Sequence, residues 1–175
     1  MQFKPHMEKS YKEYLSQITT FIFDVDGVLT DGSIQISNDG ELLRTMDIKD
    51  GFAMKHAVDN GYTVCIISGG KNEGVRHRLR NLGLTDIYLG CEDKTEQMEE
   101  FLELYTIESS QVLYMGDDIP DLYPMRKVGL PCAPHDAAHE IKEVSKYISH
   151  RKGGKGCVRD VIEQVMKVQG KWITE

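Results

Sequence analysis

Two aspartates separated by one residue directly follow a short apolar run. The run is Phe21-Ile22-Phe23, and the aspartates are Asp24 and Asp26. Such β-prone residues predict a buried strand, and because side chains of a strand alternate between its faces, both carboxylates begin on one side. Two like charges this close need a cation or a shared proton. The pair therefore indicates an acidic site at the carboxyl end of a strand, where open α/β sheets bind ligands.

Polar residues also follow the later apolar runs of the chain. The runs at residues 62–67, 87–90 and 111–115 lead to a serine, a lysine and a Gly-Asp-Asp-x-x-Asp segment. The polar groups at the four strand ends are Asp24 with Asp26, Ser68, Lys94, and Asp117 with Asp118 and Asp121. Brought together, these carboxylates, the hydroxyl and the ammonium would form a site for a phosphate group.

Each of these motifs has a simpler interpretation when taken alone. Asp24 and Asp26 could form a turn with Asx hydrogen bonds, Ser68 could cap a helix, and Lys94 could be a solvated charge. Asp117 and its neighbour could form another turn. The occurrence of all four motifs at strand ends favours a shared site over four unrelated features.

The elements that must position these residues alternate between strand and helix. This alternation predicts a three-layer, Rossmann-like α/β fold with a parallel sheet and right-handed crossovers. Apolar periodicity and stop signals predict helices at residues 51–60, 72–82, 94–105, 120–127 and 136–144, and another in the tail. The turn Asn38-Asp39-Gly40 predicts a β-hairpin of residues 32–37 and 41–48. Short edge strands are expected at residues 130–133 and 147–149.

Composition limits the classes of protein to which this chain can belong. A length of 175 residues predicts one domain, with residues 1–17 as a lead-in that could include one short helix and residues 151–175 as a C-terminal tail and helix. The net charge of −7 argues against broad nucleic-acid binding. The four cysteines form no Cys-x-x-Cys pair, which fits reduced thiols in the cytoplasm. We expect no signal peptide and no membrane span, because no apolar run approaches 18 residues.

The set Asp-x-Asp-Gly-x-x-Thr, then Ser, then Lys, then Gly-Asp-Asp-x-x-Asp resembles the haloacid dehalogenase superfamily of phosphohydrolases over residues 21–121. The resemblance implies that Asp24 attacks phosphorus and forms an aspartyl phosphate, and that Asp26 acts first as acid and then as base. Ser68 would donate to a phosphate oxygen and Lys94 would neutralise charge. Mg²⁺ would bind the Asp24 and Asp117 carboxylates and the Asp26 backbone carbonyl, with Asp118 or Asp121 orienting these ligands.

Family members with a cap domain insert it after the first or the second motif, and neither gap in this chain has room for one. Segments such as Ile48-Lys-Asp-Gly and Gly153-Gly-Lys-Gly are similar to the capless tetrameric branch that hydrolyses 3-deoxy-D-manno-octulosonate 8-phosphate. The resemblance implies lipopolysaccharide precursor synthesis and a homotetramer assembled by the hairpin. Residues 151–156 would reach a neighbouring subunit's site. Positions that match the branch's substrate contacts are Lys49, Asp50, Lys55, Gly69, Gly70 and Arg78, with Arg78 the candidate for the sugar carboxylate.

Two alternatives to this substrate follow from the same resemblance. A sister activity acts on nine-carbon 2-keto-3-deoxy sugar acid 9-phosphates, and its pattern carries Glu at the position of Gly70 and Lys at that of Asn81. This chain has neither, which favours the eight-carbon substrate, although Gly70 and Lys55 also stand where the octulosonate branch carries Arg. A low-activity assembly module, related to domains fused to cytidylyltransferases, is the other alternative. The complete set of Asp24, Asp26, Lys94 and Asp117 argues against it.

Overall fold

Six parallel strands form the centre of the molecule in the computed structural model, which describes residues 10–173. The strand order is β5-β4-β1-β6-β7-β8. The strands are β1 (Thr20–Phe23), β4 (Thr63–Ser68), β5 (Asp86–Leu89), β6 (Val112–Met115), β7 (Leu130–Ala133) and β8 (Tyr147–Ile148). A separate antiparallel hairpin consists of β2 (Gln35–Ile36) and β3 (Leu42–Leu43). The predicted Rossmann-like α/β fold is confirmed.

Helices cover both faces of the sheet. They are α1 (Ile48–Asp59), α2 (Glu73–Arg80), α3 (Lys94–Tyr105), α4 (Leu122–Lys127), α5 (His139–Val144) and α6 (Cys157–Val168). Alternation along β1 divides the core, because Phe21 and Phe23 pack with α1, α2 and α6, whereas Ile22 packs with α3, α4 and α5. Both faces of the sheet are therefore buried, as a parallel sheet requires.

The strands that carry the polar motifs are neighbours in the sheet. Strand β1 lies between β4 and β6, with Phe23 paired to Ile66 on one side and to Met115 on the other. Because the three strands are parallel and in register, their carboxyl ends meet at one edge. Between β1 and β4 the described chain contains a single helical turn (Val25–Leu29), the hairpin and α1, and between α3 and β6 it contains one 3₁₀ turn, so neither gap holds a cap domain.

The structure differs from the prediction in two element boundaries and in the position of one strand in the sheet. The second hairpin strand ends at Leu43 rather than near residue 48, because the Asp47 side chain accepts from Lys49 N and starts α1 at Ile48. Strand β7 is not an edge strand, since it lies between β6 and β8. The helix expected at residues 136–144 begins only at His139.

The C-terminal segment is anchored within its own chain. Gly154 N donates to Val28 O at 2.9 Å, and Gly153 N donates to Asp136 Oδ1 at 2.9 Å. Beyond this loop, α6 contributes Val158, Val161 and Ile162 to the core. The predicted contact of residues 151–156 with a neighbouring subunit's site stays a prediction, and the exposed side chains of this segment, Arg151, Lys152 and Lys155, would have to make it.

The lead-in is short and regular where the structure describes it. Two 3₁₀ turns occupy Tyr11–Glu13 and Leu15–Gln17, and Leu15 is buried in the core. The first nine residues of the predicted lead-in lie outside the described residues. Within residues 10–173, the helices are too short and too polar for any of them to cross a membrane.

Candidate active site

Asp24 stands at the carboxyl end of β1 with both carboxylate oxygens engaged. Val25 N donates to its Oδ1 at 2.6 Å, and the Lys94 ammonium lies 2.8 Å from its Oδ2. The residue is buried, and this burial, with the nearby charge of Asp121, raises the pKa of Asp24 to about 6 despite the opposing effect of Lys94. The carboxylate is thus fixed in position at the base of the crevice.

Lys94 is the first residue of α3, and the Asp93 side chain caps this helix by accepting from Thr95 N and Glu96 N. The lysine side chain is only 5% exposed, and its ammonium contacts Asp24 and, at 2.8 Å, Asp121 Oδ1. Burial opposes the charge, but the two carboxylates outweigh burial and raise the pKa of Lys94. The lysine is therefore a buried, paired cation rather than a solvated one.

Asp121, which follows β6 in the chain, binds the Lys94 ammonium through its Oδ1. Its Oδ1 also accepts from the Tyr114 hydroxyl at 2.8 Å, and its Oδ2 accepts from Asp117 N at 3.2 Å. Both oxygens are thus occupied by donors from the protein. Asp118, the other predicted orienting residue, is exposed and accepts from Ile119 N at 2.8 Å. Only Asp121 of this pair contacts the buried cluster.

Asp117 completes a cluster of carboxylates that could hold a metal ion. One carboxylate oxygen from each of Asp24, Asp117 and Asp121 lies within 4.8 Å of the others. Burial, followed by the charges of Asp24 and Asp121, raises the pKa of Asp117 to about 7. Three carboxylates beside a single ammonium leave excess negative charge, and a hard divalent cation with oxygen ligands fits that need.

Asp26 lies at the mouth of the crevice and pairs with Arg44, a residue that sequence reasoning missed. Arg44 Nε donates to Asp26 Oδ1 at 2.6 Å, and Arg44 Nη2 donates to Asp26 Oδ2 at 3.0 Å. The arginine follows β3 and is only 6% exposed. A basic residue at the end of an exposed hairpin strand carries no local signal of a partner 18 positions earlier.

Ser68 and the two following glycines form the opposite wall. Ser68 is buried, and its Oγ accepts from Gly70 N at 3.3 Å. An open cleft of about 870 Å³ is lined by residues 68–70 together with Asp24, Asp26, Lys94 and Asp117. The structure thus brings together every predicted catalytic and metal-binding residue, and also Gly69 and Gly70 from the substrate set.

The other predicted substrate contacts lie elsewhere. Asp50 is buried and accepts from Gly156 N and Arg159 N, at 3.2 and 2.7 Å, so it caps the first turn of α6. Burial raises the pKa of Asp50 to about 6. Lys55 is exposed and pairs with Asp59 at 2.9 Å on the same helix. Neither residue lines the cleft of its own chain, and the hydrogen bonds of Asp50 are those of a helix cap.

Lys49 and Arg78 also lie outside the cleft. Lys49 lines a second depression beside the C-terminal segment, together with Lys155 and Arg159. Arg78 lies beneath the hairpin, where it lines a depression with Leu42 and Met46. Neither residue lines the main cleft of its own chain, and their assignment to the substrate site rests on resemblance alone.

The chain is similar to known phosphatases over most of its length. The family model of haloacid dehalogenase-like hydrolases matches residues 86–159. The 3-deoxy-D-manno-octulosonate 8-phosphate phosphatase of Salmonella typhi is 38% identical over 154 residues, which cover 88% of this chain and 82% of that protein. The crystal structure of the 3-deoxy-D-manno-octulosonate 8-phosphate phosphatase from Yersinia pestis has a TM-score of 0.90 and 33% identity, and the match covers 93% of this chain and 88% of that one.

A second solved structure bears on the ligands of such proteins. The 3-deoxy-D-manno-octulosonate 8-phosphate phosphatase from Moraxella catarrhalis was crystallised in complex with a magnesium ion, a phosphate ion and a KDO molecule. It has a TM-score of 0.90 and 31% identity, and the match covers 95% of each chain. Similarity therefore extends across the sheet and its helices, and not only over the polar motifs.

Proposed function

The chain belongs to the haloacid dehalogenase-like hydrolases, and from this premise we propose that it is a magnesium-dependent phosphatase that converts 3-deoxy-D-manno-octulosonate 8-phosphate to the free sugar acid (KDO) and phosphate. The observation that carries the proposal is the buried Lys94 ammonium between Asp24 and Asp121, at the edge where Asp117 also ends a strand. This cluster supplies a fixed nucleophile, a cation and further carboxylates in one crevice.

The carboxylates suit Mg²⁺ better than a softer metal, since all candidate ligands are oxygen atoms. Asp24 and Asp117 would bind it through their carboxylates, together with the backbone carbonyl of Asp26. Asp121 already accepts three hydrogen bonds and would act by holding Lys94 and Asp117 N. When bound, the ion reduces the repulsion between the carboxylates and the phosphoryl oxygens.

In the first half of the reaction, an Asp24 oxygen attacks phosphorus and the bond from phosphorus to the sugar oxygen breaks. Asp26 donates its proton to that departing oxygen, so the sugar leaves as a neutral alcohol. Val25 N and Lys94 keep the Asp24 carboxylate from rotating. The Ser68 hydroxyl donates to a phosphoryl oxygen, and Lys94 offsets charge on the phosphoryl group.

In the second half, water hydrolyses the aspartyl phosphate. Asp26, now a carboxylate, takes a proton from the water molecule as its oxygen bonds to phosphorus, and the bond between phosphorus and Asp24 breaks. Phosphate leaves, Asp24 is restored as a carboxylate, and Asp26 is again protonated for the next turnover.

Phosphate release from 3-deoxy-D-manno-octulosonate 8-phosphate tests the proposed function, with and without Mg²⁺. We expect turnover that needs the metal and is abolished in Asp24→Asn, whereas Glu103→Gln retains it because Glu103 is exposed on α3 and lies outside the cleft. An inactive wild-type protein on this substrate and on the nine-carbon 9-phosphate would rule out the proposal. Comparison of kcat/KM for the two substrates measures the discrimination between them.

Assembly and location are further parts of the proposal. We propose one domain that forms a homotetramer through its hairpin, where Ile34, Ile36 and Leu43 are exposed. The side chains of residues 151–156 would face a neighbouring subunit and help to close its open cleft. The cysteines are unpaired, and Cys65, Cys132 and Cys157 are buried, which suits the reducing cytoplasm where sugar precursors of lipopolysaccharide would be made.

A further inference from the structure

We propose that Arg44 is a positioning residue for Asp26, and this inference rests on the proposed function. Each nitrogen of the Arg44 guanidinium donates one hydrogen bond: Nε and Nη2 donate to the two Asp26 oxygens, and Nη1 donates to Leu42 O at 3.2 Å. A planar guanidinium that grips both oxygens fixes the plane of the carboxylate as well as its distance. Asp26 would otherwise be free to rotate at the mouth of the cleft, since its side chain is 34% exposed.

The surroundings of this ion pair leave Arg44 little freedom. Its side chain is only 6% exposed, and the backbone of Gly70 closes over the pair. A Cβ at Gly70 would lie 3.3 Å from Asp26 Oδ2 and 3.5 Å from Arg44 Nη2. The backbone of Gly70 therefore packs directly against the ion pair, so that an added Cβ would be in ordinary contact with the guanidinium and slightly too close to the Asp26 carboxylate.

The step most dependent on this contact is hydrolysis of the aspartyl phosphate. In that step Asp26 acts as a carboxylate, the form that a bidentate arginine binds, and it must face the attacking water molecule. Asp26 is joined to Asp24 through a single residue, so its oxygens need a fixed direction relative to the phosphorylated side chain. Arg44 supplies that direction from outside the loop that carries both aspartates.

A purely structural interpretation is that Arg44 ties the hairpin to the body of the protein. The hairpin has a second tether, because Asn72 Nδ2 donates to Leu42 O at 2.8 Å. Asn72→Ser removes this donor, because the shorter side chain no longer reaches Leu42 O, and it keeps a side-chain oxygen that can cap α2 in place of the one that accepts from Val75 N, without adding a charge beside Arg44. This variant therefore loosens the hairpin without touching Asp26, and it is the matched control for Arg44 variants.

The experiment uses p-nitrophenyl phosphate as the probe, because its leaving group departs without a proton from Asp26. The first turnover, seen as a burst of p-nitrophenolate, then reports attack by Asp24, and the later steady state reports hydrolysis of the aspartyl phosphate. In Arg44→Met we expect a burst rate near that of the wild type and a steady-state rate lower by about tenfold, a part of the 10²–10⁴ typical of general base catalysis. Arg44→Lys, which keeps the charge but not the fork, should recover only part of that rate.

Three comparisons complete the test. Acid-quenched Arg44→Met should contain more phosphorylated protein than the wild type, as measured by intact-mass spectrometry. Arg44→Met should cause no further loss in an Asp26→Asn background, because the two residues act in one step. Asn72→Ser and the exposed Arg80→Met should keep the wild-type steady-state rate. If Arg44→Met fails to fold, Arg44→Gln takes its place in each comparison.

Several results would overturn the inference. They are an unchanged steady-state rate in Arg44→Met, an equal loss in Asn72→Ser, or a further loss when Arg44→Met is added to Asp26→Asn. These variants are compared with a wild-type protein that has first been shown to release phosphate from 3-deoxy-D-manno-octulosonate 8-phosphate. If the wild-type protein releases no phosphate, the proposed function is rejected. If it does release phosphate but the Arg44 variants give any of the results named above, only the role of Arg44 is rejected.

Discussion

Gly27 and Asp117 approach each other so closely that a Cβ on Gly27 would lie 1.9 Å from Asp117 Oδ2. Gly27 also has a φ of +87°, a conformation that strains any residue with a side chain. The glycine of the first motif thus has two functions: it turns the chain after β1, and it leaves space for the carboxylate that ends β6. The loop after β1 therefore packs directly against the whole carboxylate group of Asp117.

Gly27→Ala should therefore damage the metal site more than it damages the fold. The added methyl group must displace the Asp117 carboxylate, so we expect the Mg²⁺ concentration for half-maximal activity to rise by about tenfold or more, which corresponds to roughly 1.4 kcal/mol. Gly40→Ala is the matched control, because Gly40 has a φ of +84° but no atom within 4 Å of the added Cβ. Both variants should lose about 1 kcal/mol of stability from backbone strain. Equal Mg²⁺ requirements in the two variants would contradict this explanation.

The raised pKa values of the cluster predict how stability depends on pH without metal. Asp24 and Asp117 have pKa values of about 6 and about 7, above the 3.8 of an exposed aspartate, so the folded chain binds protons that the unfolded chain has released. Their contribution to stability is full below about pH 4 and is lost as the pH rises through both values. The melting temperature of the metal-free protein should therefore fall between about pH 5 and pH 8.

Mg²⁺ should reverse this trend, because it binds the ionised carboxylates. The increase in melting temperature caused by Mg²⁺ should grow over the same pH range, as measured by thermal unfolding in matched buffers. Asp117→Asn supplies the control, since it should weaken both the metal-free pH dependence and the protection by Mg²⁺. A metal-free melting temperature that rises with pH, equally in both proteins, would show that these carboxylates do not titrate as described.

Asp50 is expected to contribute to stability rather than to catalysis. The helix α6 begins after a glycine that has no capping side chain, and Asp50 supplies the acceptor from α1 by binding Gly156 N and Arg159 N. Asp50→Ala should reduce the free energy of unfolding by about 2 kcal/mol, a large value for a helix cap. Asp59→Ala, an exposed residue on the same helix, should change it by less than about 0.5 kcal/mol. Unchanged stability with a loss of kcat/KM would restore Asp50 to the substrate site.

The predictable part of the molecule is the part governed by local pattern. The apolar run before Asp24, the run before Ser68 and the run before Asp117 predict buried strands, and parallel pairing then brings their ends together. Helix α3 runs from Lys94 to Tyr105, as its periodicity indicates. Each of these features depends on neighbouring residues and on a general rule of sheet topology.

The features that could not be predicted from the sequence depend on contacts between residues that are distant in the chain. The ion pair of Arg44 with Asp26 needs the hairpin to fold back over the first motif, and no spacing indicates that it does. The cap provided by Asp50 joins residues more than 100 positions apart. The packing of residues 151–156 on their own chain also depends on distant contacts, since a Cβ at Gly153 would lie 1.9 Å from Gly27 O.

The exposed hairpin predicts a variant that changes assembly without unfolding the chain. Ile36 is 74% exposed on a strand of only two residues, and such a short pair gains little stability alone. If the hairpin joins subunits, Ile36→Glu should dissociate the tetramer in sedimentation velocity, because a buried carboxylate at an interface is costly. Leu104→Glu, at a site 69% exposed on α3, is the control and should remain tetrameric.

Because subunits are proposed to close each other's clefts, the dissociated Ile36→Glu protein should retain its melting temperature but show a higher KM for the sugar phosphate. A wild type that sediments as a monomer, or an Ile36→Glu protein that stays tetrameric, would remove the hairpin from the proposed assembly.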